Sequence, residues 1–312
     1  MKKSIITLGL GLALVLGIAS CNKDNSNNTK INDDYKLKVV CPAGAPIVGI
    51  AEAIGNYKDN VDTENVGVAA NTLAGFFQAG KSDIIVAPIN AGVKLYNANK
   101  STYKLASVLT WGNTYFASQK TTFELNDIND SDITLFGEDS ITARQALYVL
   151  EQKGITPKSI EYKVDGAETN KELNKDATKI VMTAEPALSA TRLTKEVKSY
   201  SISDLYKEIT NLDMPQAAVF VSPDTIKNHK ELLDLFLTEI DNTDELYKTD
   251  ATKVAKDAIA LGLQAPEAAL ANSIANCKVS YKKASTVKTE INKLVELFTS
   301  DFAKVPADEI YY

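Results

Sequence analysis

The stretch SDIIVAPINAGVKLYNAN, residues 82–99, decides how the rest of the chain is read. SDIIVAPI (82–89) is a short apolar run of strand character that Pro88 brings to an end, and NAGVKLYNAN continues at once as a helical segment with Asn90 at its start. A strand that passes directly into a helix is the repeating unit of α/β folds. The same unit recurs on both sides. YKLKVVC (35–41) is a strand followed by the helix APIVGIAEAIG, and VGVAA (66–70) is followed by the helix TLAGFFQAG. KLASVLTW (104–111) and TYFAS (114–118) add two strands.

A second set of units begins near Ile133: ITLFG, SITARQALYVLEQKG, SIEYKV, AETNKELNK, KIVMTAE and PALSATRLTKE alternate strand with helix. That is more than one small sheet needs, and roughly 290 residues beyond the N-terminal leader suit two domains better than one. AAVFVSP (217–223) returns to strand, and the remainder reads as helical. A helical end with no sheet of its own must pack on sheets already built. The simplest arrangement assigns 35–118 and 217–312 to lobe 1 and 119–216 to lobe 2, with two crossovers acting as a hinge.

The N-terminus has a different character. Lys2 and Lys3 precede an apolar run from Ile5 to Ser20, shorter than the roughly 20 residues of a membrane span, so residues 1–20 read as a signal peptide. Ile18, Ala19 and Ser20 lead into Cys21, which resembles the bacterial lipobox and predicts a diacylated cysteine as the mature N-terminus. More than one acyl chain holds a protein on a membrane where a single chain exchanges. Residues 21–34, rich in Asn, Asp and Lys, read as a lipid-anchored flexible tether. The expected location is the extracytoplasmic face of a bacterial cell membrane.

Removing residues 1–20 takes away two lysines and no acid, so the formal charge of −6 becomes −8. An acidic chain argues against nucleic acid, which needs clustered Lys and Arg. Arg144 and Arg192 are the only arginines, and His229 the only histidine. Apart from Cys21 there remain Cys41 and Cys277, without metal-ligand spacing; a buried free thiol suits Cys41, at the end of an apolar run, better than a disulfide. No metal and no cofactor is expected.

In open α/β sheets ligands gather at the carboxyl ends of strands, where helix N-termini offer unpaired N–H groups. PAGAP (42–46) supplies Gly44, Ala45 and Pro46, a loop that lets a ligand approach backbone amides or serves as a plain strand-to-helix turn. Asn71 or Thr72 can cap a helix and still face a cleft, and Pro88 with Asn90 forms a comparable junction. Trp111, Gly112 and Asn113 stand at a strand end, where the indole can fill the core or stack on a planar ligand. Gly137, Ser140 and Thr142 open a helix able to donate several N–H groups. Glu185 can accept from a ligand or complement its helix dipole.

Together these segments resemble the solute-binding lipoproteins of ABC importers, in the group of thiamine-pyrimidine, nitrate and sulfonate binders. The phrases that carry the resemblance are PAGAP, AGKSDIIVAPINAGVKLYN, YKLASVLTWGN, LFGEDSITARQALYVLEQKGI, VMTAEPALSAT, MPQAAVFVSPDTI and VPADEIYY, in that order along nearly the whole mature chain. The resemblance implies an α/β, two-lobed periplasmic-binding-protein-like fold of type II, with two crossover strands and a ligand cleft between the lobes. It implies contacts from the loops just named and from Gln216 in MPQ (214–216), no enzymatic activity, a monomer, and permease and ATPase subunits as partners. Neither arginine falls in lobe 1 and no lysine in its candidate loops, which suits a planar neutral heterocycle, such as a thiamine-pyrimidine precursor, better than a sulfonate or nitrate anion.

Three rivals stand beside this reading. Relatives that synthesise the thiamine pyrimidine draw on a histidine and a cysteine-rich motif, whereas here His229 lies outside every candidate loop and no cysteine cluster exists. A surface lipoprotein with an adhesin or immune-facing role would show no ligand-dependent closure. A sensor input domain would need a partner chain.

Overall fold

The computed structural model describes residues 34–312, so the expectations for the signal peptide, for Cys21 and for the tether up to residue 33 lie outside the described residues. The chain begins as β1 (Leu37–Pro42), α1 (Ala45–Asn56), β2 (Val61–Val68), α2 (Leu73–Ala79), β3 (Ile84–Pro88), α3 (Ile89–Asn97) and β4 (Lys104–Thr110). It continues as β5 (Thr114–Ser118), β6 (Asp132–Phe136), α4 (Ile141–Gln152), β7 (Ser159–Lys163), α5 (Gly166–Lys175), β8 (Ile180–Ala184), α6 (Ala187–Arg192), β9 (Lys198–Ser201) and α7 (Ile202–Thr210). β10 (Ala217–Val221) precedes α8 (Pro223–Asn228), α9 (Lys230–Thr249), α10 (Ala251–Ala260) and α11 (Glu267–Ser273). The chain closes with β11 (Val279–Lys283), α12 (Lys288–Leu297) and α13 (Thr299–Phe302). Among the described residues no helix is long and apolar enough to cross a membrane.

Two sheets result, one ordered β11-β4-β10-β3-β1-β2 and the other β7-β6-β8-β5-β9. The centre of the first is covered on both faces: Ile84, Ile85, Val86 and Ala87 of β3 are all fully buried, which is why that strand is a continuous apolar run instead of an alternating one. In the second sheet, Phe116, Leu135 and Met182 join Val149 and Leu150 of α4 in a separate core. Tyr148 and Leu297 pack against both cores, so the lobes touch through α4 and α12.

Three elements depart from the sequence reading. β5, assigned to the first lobe, pairs with β8 and β9 in the second sheet, so the first change of sheet falls between β4 and β5. The helical end contains β11, which pairs antiparallel with β4 at the edge of the first sheet. β9 was also unpredicted. Both β9 and β11 are short edge strands with lysines, and their strand state comes from a partner distant in sequence rather than from local apolar pattern.

Pairing directions settle which strand ends meet. β1, β2 and β3 are parallel, β10 is antiparallel to β3 and β4, and β11 is antiparallel to β4. One edge of the first sheet therefore collects the carboxyl ends of β1, β2, β3 and β4 with the starts of β10 and β11. In the second sheet, β6, β7 and β8 are parallel and β5 is antiparallel to β8 and β9. One edge there collects the carboxyl ends of β6, β7, β8 and β9 with the start of β5. The two crossovers, β4 to β5 and α7 to β10, leave from these edges.

Candidate functional site

Every candidate residue among the described ones stands at one of these two edges, but the structure engages them unequally. Gly44 precedes α1 with φ +110, a left-handed conformation open to glycine, and the loop contributes backbone N–H groups and no polar side chain. Ala45 is buried and Pro46 half-buried behind it. Asn71 and Thr72 lie exposed on a short turn before α2. Neither caps that helix, contrary to expectation, because Thr72 is already helical and its hydroxyl turns back to the Ala69 carbonyl at 2.7 Å.

Pro88, Asn90 and Gln216 are brought together at the middle of the first edge. The Ile89 N–H donates to the Gln216 carbonyl at 2.9 Å, and the Gln216 N–H donates to the Thr110 carbonyl at 2.9 Å. The Gln216 side chain accepts from the Thr110 hydroxyl at 3.3 Å. Asn90, in the first turn of α3, does not cap it; its Oδ1 is buried with no partner in the protein.

Trp111 is 7 % exposed and held within the first lobe. Its indole N–H donates to the Ser280 carbonyl at 2.7 Å, and the Lys282 ammonium sits 4.3 Å from its ring centroid. The expected stacking platform is thus occupied from within, because β11, missed in the sequence, lies beside it. Gly112 follows at φ +90, and its carbonyl accepts from the Ser203 hydroxyl at 2.9 Å. Asn113 bridges the start of β5 to the end of β8, its Nδ2 donating to the Glu185 carbonyl at 2.9 Å and its own carbonyl accepting the Glu185 N–H at 3.0 Å.

On the second edge, Gly137 turns the chain out of β6 at φ +66 and Ser140 caps α4, its hydroxyl accepting from the Ala143 N–H at 3.1 Å. Thr142 is half-buried in the next turn. Glu185 has no exposed side-chain surface, and both carboxylate oxygens are taken. One accepts from the Ser189 N–H at 2.9 Å; the other accepts from the Ser189 hydroxyl at 3.0 Å and pairs with Arg192 at 3.1 Å. Burial pushes its carboxyl above the usual range, against the opposing pull of Ser189 and Arg192. The carboxylate expected to meet a ligand is bound to its own helix.

Ion pairs and rings close the flanks. Arg144 of α4 pairs with Asp301 of α13 at 2.6 Å, and Tyr148 meets Phe298 edge-on at 5.8 Å. On the other flank Lys278 pairs with Asp204 at 3.1 Å, Lys282 with Asp213 at 3.0 Å, and the Tyr115 hydroxyl donates to the Asn276 carbonyl at 3.0 Å. The sequence reading missed Gln145 of α4, which is fully buried with neither amide atom partnered in the protein. Its signal was present as a glutamine inside an otherwise apolar helical face. A surface hollow of about 330 Å³ lined by Leu147, Gly154, Ile155 and Ile160 belongs to the far end of α4 and involves none of these residues.

His229 lies beyond the opposite end of β10, stacked on Tyr35 with ring centroids 3.6 Å apart. Cys41 and Cys277 are buried free thiols, each pushed upward in pKa by burial. Among the described residues no group of three or more His, Cys, Asp or Glu could hold a metal ion.

The architecture can now be compared with solved structures. An ABC transporter protein from Parabacteroides distasonis superposes with a TM-score of 0.76 at 18 % identity, covering 89 % of this chain and 99 % of its own. The periplasmic aliphatic sulphonate-binding protein of Escherichia coli gives 0.68 at 13 % identity, covering 90 % and 92 %. A zinc-bound ligand-binding component of an ABC-type import system from Staphylococcus aureus gives 0.65 at 14 %, covering 89 % and 96 %. This is the periplasmic-binding-protein fold. No family model and no curated protein matches the sequence.

Proposed function

We propose that the chain is the extracytoplasmic solute-binding component of an ABC importer, lipid-anchored to a bacterial cell membrane through Cys21 and working as a monomer with permease and ATPase subunits. Its cargo is a small planar polar molecule, a thiamine-pyrimidine precursor or related heterocycle, captured as the lobes close. Closure works because ligand makes contacts in the closed form that the open form lacks, and only that differential affinity shifts the equilibrium.

The observation that carries the ligand class is the state of the basic side chains at the two edges. Arg144, Arg192, Lys278 and Lys282 each pair with a carboxylate, while the Asn90 Oδ1 is buried without a partner. An anion seeking a basic side chain would have to break one of these pairs, whereas the Asn90 Oδ1 can accept from a neutral N–H or O–H donor. The sulfonate or nitrate reading keeps two supports, the names of the sulfonate-binding neighbours and the helix N-termini at both edges. No catalytic step is proposed.

The test is intrinsic fluorescence of the chain from Asp34 onward, refolded to strip bound ligand and titrated with aminopyrimidines, thiamine, methanesulfonate and nitrate. Trp111 lies at the first crossover, so closure alters its surroundings without direct ligand contact. Saturable binding of an aminopyrimidine is expected; binding of the anions alone would refute the heterocycle, and no binding at all would refute solute capture. Cys21→Ser should release the full-length protein from membranes.

A further inference from the structure

α4 carries two stripes. Ile141 packs in the first lobe's core, while Arg144 bonds Asp301 and Tyr148 meets Phe298, so this stripe faces the first lobe and its C-terminal helices. Ala146, Val149 and Leu150 face the second lobe's core. At 3.6 residues per turn, Gln145 lies about 40° round the helix from Ile141, on the border between the stripes. Helical side chains tilt toward the N-terminus, so the Gln145 side chain leans back toward the turn at Ser140, where α4 leaves the strand edge of the second sheet.

A carboxamide offers donors and acceptors in one plane. Here both ends are buried and neither has a protein partner, an arrangement that penalises the unliganded protein. Because both atoms are unpartnered, exchanging the amide's O and N changes nothing. We propose that Gln145 is a specificity residue of the cleft that pairs through two hydrogen bonds with a ligand edge carrying an N–H donor next to a ring acceptor, the edge an aminopyrimidine presents. Glutamine reads such an edge on adenine in the same two-bond manner. A sulfonate, which only accepts, would leave the amide oxygen facing like atoms. The assignment rests on the solute-binding reading above and narrows its ligand.

The experiment compares wild type with Gln145→Leu and Gln145→Met, the latter an unbranched replacement of similar length. The probes are an aminopyrimidine bearing hydroxymethyl and methyl groups, its desamino analogue, and methanesulfonate. Wild type should favour the amino compound over the desamino one by tenfold or more, and both variants should lose that preference, because amide and amine are two halves of one contact. Without ligand, removing an unpartnered amide should raise the melting temperature by about 2–4 °C. A fall in melting temperature would assign the amide a structural partner and overturn the proposal. So would a preference for the amino compound that survives in the variants, or wild-type binding of methanesulfonate alone. If wild type binds none of the three, the heterocycle cargo and with it this assignment are overturned.

Discussion

Gly112→Ala tests the first crossover. Gly112 adopts φ +90, and an added Cβ would stand 2.5 Å from Met214 Cε and 2.7 Å from Ser203 Cβ. Met214 and Ser203 are themselves buried, so neither can step aside into solvent. Left-handed backbone costs a residue with a Cβ about 1–2 kcal/mol, and overpacking a closed site costs about 1–3 kcal/mol, giving about 2–5 kcal/mol together. At about 2–4 °C per kcal/mol for a chain of this size, the melting temperature should fall by roughly 4–20 °C. Gly55→Ala is the control: the same chemical change in α1, where a Cβ meets nothing within 4 Å, should stabilise by about 0.5–1 kcal/mol. Scanning calorimetry of the chain from Asp34 compares the three proteins. A Gly112→Ala melting temperature within about 2 °C of wild type would refute the reasoning, since the crossover would then be loose enough to absorb a side chain.

The remaining predictions concern buried ionisable groups. Burial raises the Glu185 carboxyl in the folded protein, so the native state keeps that proton to higher pH than the unfolded chain does. Its contribution is fully present below the ordinary carboxylate range and is lost as pH rises through the raised value. The melting-temperature difference between wild type and Glu185→Gln should therefore shift against wild type from about pH 4 to pH 7, and a shift in its favour would contradict the assignment. Arg144→Ala strands the buried Asp301 carboxylate, whose second oxygen has no protein partner, and should destabilise by about 1–3 kcal/mol; adding Asp301→Asn should recover part of the loss, as urea denaturation would measure. Cys41 and Cys277, buried and shifted upward, should resist a thiol reagent at about pH 8 until the protein is unfolded.

The strand-end positions of the candidate residues could be read from the sequence. Strand-to-helix junctions are local, and a chain that alternates such units must gather their strand ends along a sheet edge, so the placement of Gly44, Pro88, Gly137 and Glu185 at strand ends follows from position alone. Their chemical state could not be found that way. Glu185 looked available until Ser189, four residues on, and Arg192, one turn further, closed on it. Trp111 looked like a stacking surface until β11, remote in sequence, supplied the Ser280 carbonyl and Lys282. Gln145 stands out in the sequence only as a polar residue on an apolar helical stripe, and only packing reveals that it is buried with neither amide atom partnered in the protein.

The sequence by itself determined the α/β class, the run of strand–helix units and the return to the first sheet at β10, because each follows from periodicity and turn chemistry within a few residues. Only the tertiary structure decided that β5 belongs to the second sheet, that β11 edges the first, and that both arginines are neutralised by carboxylates. The strand placements and the Arg144 pair depend on partners tens to hundreds of residues away, and even Arg192 meets Glu185, seven residues back, only once α6 has folded onto the end of β8; a short polar strand or a single charge carries no local mark of the partner it will meet.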